Sequence, residues 1–272
     1  MVIRKNKSIF APKLKPHSIK RITMQFNENE IPYQTLEQFG LTHEMIEDLP
    51  THVLNDLCEG RRSPLLPIQV NDEEGSAIKS QTRFSLVRNA SGDVDILFYP
   101  KLQEADLSAF TEQERSALEK GKSVVASVKD KDGNRIPSYV QLDAETHQVL
   151  TAPVQVIGRN LQLINNDIHL STMELNSLQK GDPVTFAREG DDDAITVGID
   201  LNERTGLRFV PGDARNWSEQ RTRDWDKYNF GVYGCWVMDD DGNLDYVHEE
   251  DYTDELWNEQ RKAGLRMVVH MR

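Results

Sequence analysis

A repeat constrains this chain more than any other feature of its sequence. Thr111 to Val124 reads TEQERSALEKGKSV, and sixty residues later Ser171 to Val184 reads STMELNSLQKGDPV. Leu118, Gly121 and Val124 align with Leu178, Gly181 and Val184. The same punctuation occurs upstream, where Leu54–Asn55–Asp56–Leu57 runs into Gly60. A unit of about sixty residues is too small to bury much apolar surface alone, so the copies are expected to pack side by side.

Each copy carries its own start and stop signals. Thr111 and Ser171 are N-cap residues, and Glu114 and Glu174 stand three positions on, which makes two capping boxes. Leu170 is placed to staple onto Leu175. Lys120 and Lys180 suit the negative end of a helix dipole, and the glycine that follows suits a left-handed C-terminal cap. So short a helix is unstable alone in water and must dock on something.

The following segment supplies a sheet. Tyr139–Val140–Gln141–Leu142 alternates, turns over residues 143–146 and resumes at Val149–Leu150. Its counterpart is Val197 to Leu201, a turn over 202–206, then Leu207–Arg208–Phe209. In the first unit Phe84 to Arg88 is followed by a turn at Asn89–Ala90–Ser91–Gly92 and by Val94 to Phe98. Each unit reads as helix, glycine, strand, hairpin, so the fold class is α+β.

The flanks differ. Residues 31–60 read as a cluster of short helices, punctuated by Pro32, Gly40, Pro50 and Gly60, with Leu41 placed to staple onto Ile46. Asn71 to Ser80 reads as a polar loop. All four tryptophans fall in the last 56 residues. There Asp213 to Asn229 is helical in pattern, Val232 to Met238 and Leu244 to His248 form a hairpin, a helix ends at Gly264, and Leu265 to His270 reads as a last strand. The expected division is a basic arm over 1–27, a helical cluster with a hairpin over 28–104, repeat units over 105–165 and 166–211, and an aromatic-rich α+β unit over 212–272.

Charge is distributed unevenly. The chain carries −13 overall, yet Arg4, Lys5, Lys7, Lys13, Lys15, Lys20 and Arg21 give residues 1–27 a charge of +7 with no acid, which leaves −20 on the rest. So acidic a body argues against a main surface that grips phosphates. The arm reads either as a loosely docked tail or as a contact for DNA or an acidic partner. Cys58 and Cys235 show no metal spacing, no apolar run is long enough to span a membrane, and no secretory pattern follows the basic start. A cytoplasmic protein is expected.

Catalytic motifs are tried and fail. Gly121–Lys122–Ser123 resembles the end of a phosphate-binding loop, but Ser116 stands where the first glycine belongs. Asp239–Asp240–Asp241–Gly242–Asn243 has the content of a calcium loop without its ligand spacing and suits a hairpin turn, and Asp191–Asp192–Asp193 reads as a solvated loop. The seven histidines form no zinc pair, and His248 beside Glu249 and Glu250 reads as a polar strand end. The expectation is therefore no catalytic residue, no metal and no cofactor.

Trp217, Arg221 and Trp225 stand at i, i+4 and i+8, with Tyr228 beyond them. They are the partner-binding candidates, because tryptophan, tyrosine and arginine dominate binding hot spots. The competing reading has the tryptophans closing the core over the last hairpin.

The order LEQFGL, IEDLP, VLNDLCEGRRSPLLPI, SLVRNASGDVDILFYP, LEKGKSV, YVQLDAETHQV and LQKGDPVT resembles domain families of unknown function in Bacteroidetes mobile-element proteins, over about residues 30–210. That resemblance implies a bacterial mobile element or phage as the setting, and no catalytic residue. The leading expectation is a non-enzymatic interaction or adaptor protein of that element or phage, acting in its conflict with the host. The alternatives are an accessory of DNA processing that contacts DNA through the arm, and an acidic DNA mimic that inhibits a defence protein.

Overall fold

The computed structural model describes residues 25–71, 75–130, 132–187, 194–219 and 225–270. Its repeated element is a three-stranded antiparallel meander, formed four times. The first sheet is β1 (Leu66–Asn71), β2 (Ala77–Arg88) and β3 (Val94–Pro100), and the second is β4 (Val124–Lys129), β5 (Arg135–Leu142) and β6 (Val149–Pro153). The third is β7 (Val184–Phe186), β8 (Ile195–Ile199) and β9 (Leu207–Pro211), and the fourth is β10 (Tyr228–Phe230), β11 (Gly234–Met238) and β12 (Leu244–His248). The α+β class and the repeated units are as expected. Asn71 ends β1 and pairs with Ala77, where β2 begins, so residues 71 and 77–80 are strand rather than polar loop.

Helices α1 (Tyr33–Glu37), α2 (His43–Glu47) and α3 (Thr51–Cys58) precede the first sheet, α4 (Glu112–Glu119) the second and α6 (Thr172–Gln179) the third. The caps follow the sequence closely. Thr111 and Ser171 each accept from the third backbone N–H of their helix, and Glu114 and Glu174 return the bond. Gly60, Gly121 and Gly181 have φ of 79°, 72° and 92°. Each donates its N–H to the leucine three residues back, and the residue after each bonds to the carbonyl five back (Arg61 to Asp56, Lys122 to Ala117, Asp182 to Ser177). Three Schellman caps therefore share one geometry, and the leucine in each (Leu57, Leu118, Leu178) is fully buried.

One helix went unread in the sequence. α5 (Val154–Ile168) follows Pro153 directly and buries Ile157, Leu161 and Ile168. Around it the second and third units share a core with Tyr139, Leu178, Val197 and Leu207. The first and fourth units share another, in which Leu36, Leu41, Ile46, Leu57 and Phe84 meet Trp225, Trp236 and Leu244. Packing thus joins the first unit to the last.

Two expectations for the last unit are corrected. Of the helical pattern over 213–229, the described residues form α7 (Ala214–Glu219), residues 225–227 are not helical, and Tyr228 lies in β10. The final strand is instead the end of α8 (Asp254–His270). Gly264 is absent from the residues with positive φ, and the good helix formers around it carry the helix through.

Candidate functional site

The tryptophan stripe does not form one surface. Trp217 lies on α7 against β8, so close that a Cβ on Gly198 would sit 2.4 Å from its ring. The Arg208 guanidinium stacks 4.4 Å from that ring, donates to the Trp217 carbonyl at 2.6 Å and pairs with Asp200 at 3.3 Å. Trp225 belongs to the other core, with His52 edge-on at 6.5 Å. Both tryptophans are only 8% exposed. Tyr228 stands apart, its hydroxyl donating to Glu255 at 2.9 Å. Arg221, the basic residues Arg4 to Arg21 and the Asp191–Asp193 run lie outside the described residues.

A buried charge junction ties the first three units together. Arg83 on β2 pairs with Asp143 in the β5–β6 turn at 3.2 Å, and these side chains are 9% and 4% exposed. Arg62 donates to Asn202 at 2.9 Å and stacks 3.8 Å over Tyr99. Arg61 pairs with Asp56 at 3.0 Å and reaches Glu203 at 3.5 Å. Burial pushes the Glu203 carboxyl above its usual range, against the pull of Arg61. Every guanidinium here has an internal partner, so the junction fixes the register between units rather than offering a free anion site.

A second clamp holds the fourth unit to the helical cluster. Asp48, 5% exposed, accepts from the backbone N–H of Val232 at 2.6 Å and of Tyr233 at 2.9 Å, and from the Tyr246 hydroxyl at 2.5 Å. Burial, then the bond to Asp48, pushes the Tyr246 phenol well above its ordinary value, so it remains a donor. Gly231 passes close by, where a Cβ would sit 2.1 Å from the Asp48 carboxyl carbon. Trp236 adds a bond from Nε1 to the Met45 carbonyl at 2.9 Å.

This clamp unites two segments of one sign. Residues 25–60 contain eight acids and residues 228–260 ten, and neither stretch has a lysine or arginine. Nearly all of the body's excess negative charge therefore lies on one half of the molecule.

Between the first and fourth sheets lies an open cleft of about 1020 Å³. The first two units contribute Lys79, Lys101 and His147 to its lining and the fourth unit and α8 contribute Asp239, Asp245 and Glu255, while Met45, Ile68, Leu102, Leu244 and Leu256 supply apolar surface. A polar chain crosses it: Lys101 Nζ donates to Gln81 Oε1 at 3.0 Å, Gln81 Nε2 to Asn243 Oδ1 at 3.2 Å, and Asn243 Nδ2 to Asp239 Oδ2 at 2.9 Å. Asp239 Oδ1 accepts from the N–H groups of Asp241 and Asn243, closing the hairpin turn expected there. Among the described residues no three His, Cys, Asp or Glu side chains are grouped as metal ligands. Sequence reading missed the cleft because its residues come from five separated segments.

Residues 26–109 match the family described as a protein of unknown function, DUF4099. The interval contains the helical cluster and the first sheet, and the other three sheets lie outside it. The chain matches no curated protein and no solved structure. No helix among the described residues is long and apolar enough to cross a membrane.

Proposed function

We propose that this chain is a non-enzymatic interaction protein that holds an extended segment of a partner protein in the cleft between its first and fourth sheets. The observation that carries the reading is a lining that takes its basic residues from the first two units and its acids from the fourth unit and α8, together with apolar surface. A polyphosphate backbone would meet the carboxylates of Asp239, Asp245 and Glu255, whereas a peptide can present both signs. The resemblance to mobile-element proteins supplies the setting: an adaptor of a bacterial mobile element or phage, acting in the cytoplasm and in conflict with the host. Affinity purification with lysine cross-linking tests this. A partner cross-linked at Lys79 or Lys101, and lost with Leu102→Asp, is the expected result. A purified turnover activity with no cross-link at the cleft overturns it.

The acidic half supports a second reading, a DNA mimic that occupies a basic site on a defence protein. Competition with DNA for that protein, weakening as salt rises, distinguishes it from capture in the cleft.

A further inference from the structure

Three hairpin turns among the described residues share one geometry. In Asn89–Asp93, Asp130–Asn134 and Asp239–Asn243 the first side chain accepts from the third and fifth backbone N–H groups. The fourth residue is a glycine, Gly92, Gly133 or Gly242, with φ of 90°, 83° and 83°. A Cβ at any of these three would meet nothing within 4 Å, so glycine serves the backbone conformation alone. The longer turn that starts at Asp200 ends on Gly206, also at positive φ. The β5–β6 turn also starts with an aspartate, Asp143, that accepts from the third backbone N–H, but it is one residue longer, and the residue before its closing Gln148 is His147 at φ 57° rather than a glycine. A side chain at positive φ is strained, so this conformation at His147 points to a local role for the imidazole.

Its surroundings suggest the reason. Nδ1 lies 2.8 Å from the Leu102 carbonyl and 3.1 Å from that of Gln103. Both partners only accept, so Nδ1 carries the hydrogen and the neutral ring keeps Nε2 as an acceptor. Nε2 has no hydrogen-bond partner among the described residues, and His147 lines the cleft beside Lys101, Leu102 and Gln103. The other histidine at positive φ, His169, caps α5 and is not a cleft residue.

Resting on the cleft reading above, we propose that His147 is a ligand-contacting residue whose Nε2 accepts a hydrogen bond from an N–H or O–H of the bound peptide. The test pans a random-peptide phage library on the full chain, then titrates a synthetic selected peptide against wild type and variants. Leu102→Asp is expected to abolish binding, which places the peptide in the cleft. His147→Gly suits the turn, and His147→Asn tolerates it while keeping an amide donor for the two carbonyls. Both are expected to melt near the wild-type temperature and to bind about tenfold more weakly, the size of one hydrogen bond. If no peptide is selected, or Leu102→Asp binds normally, the cleft reading fails and this inference with it. If Leu102→Asp abolishes binding while both His147 variants bind as wild type, the cleft stands and the role of His147 falls. A large drop in melting temperature for both variants would make His147 structural and overturn the inference.

Discussion

Replacing Asp48 with alanine tests whether the fourth unit is held to the first by a polar clamp or by apolar packing alone. The carboxylate receives three hydrogen bonds, from Val232, Tyr233 and Tyr246. Each bond to a charged acceptor is worth about 1.5–3 kcal/mol. Part of the loss is recovered, because Val232 is 79% exposed and its turn can rehydrate. Alanine should therefore cost about 3–5 kcal/mol. Asparagine keeps one acceptor oxygen and should cost about 1–2 kcal/mol. Urea unfolding followed by tryptophan fluorescence is the assay, since Trp236 bonds to Met45 across the same interface. A cost below about 1 kcal/mol for Asp48→Ala would refute the clamp.

Two further expectations bear on the caps and the tryptophans. Gly60→Ala meets its nearest neighbours at 3.4 Å and should cost about 1 kcal/mol for the left-handed backbone alone, while Gly181→Ala also drives a Cβ to 2.6 Å from the Ser123 carbonyl oxygen and should cost clearly more in the same melts. Trp225→Ala should destabilise the chain by about 3–5 kcal/mol and lower partner binding only in proportion to unfolding, whereas a stable variant with weakened binding would return Trp225 to the partner site.

What was legible in the sequence was local. Capping boxes at Thr111 and Ser171, glycine caps at Gly60, Gly121 and Gly181, and hairpins around Asn89 and Asp239 depend on residues within a few positions of one another, and the structure has them where the sequence puts them. α5 shows a weaker signal: its 4–3–4 spacing of Ile157, Leu161, Ile164 and Ile168 is present, but Pro153 offers no side-chain cap and Gly158 interrupts the run. The cleft and the Arg83–Asp143 junction were not legible, since pairs such as Gln81 with Asn243 lie 162 residues apart. The i, i+4, i+8 spacing of the aromatic stripe implies a shared face only within one helix, whereas Trp225 packs into the core of the first and fourth units and Tyr228 is in a strand.

The pairing of the first and last units follows from what the last unit lacks. In the second and third units a leucine–x–x–glycine helix lies directly before the sheet, but β10 follows Trp225 with no such helix between them. Its apolar face is covered instead by the surplus helices of the first unit, which is why Leu36, Leu41 and Ile46 share a core with Trp236. This brings β1 and β12 near each other without joining their sheets. The outer edge of β1 cannot extend the ladder: Pro67 has no N–H, and the Gln69 N–H is taken by the Phe39 carbonyl at 2.9 Å. Two sheets brought together by a shared core but barred from pairing leave a gap, and the residues that line it are those of the cleft.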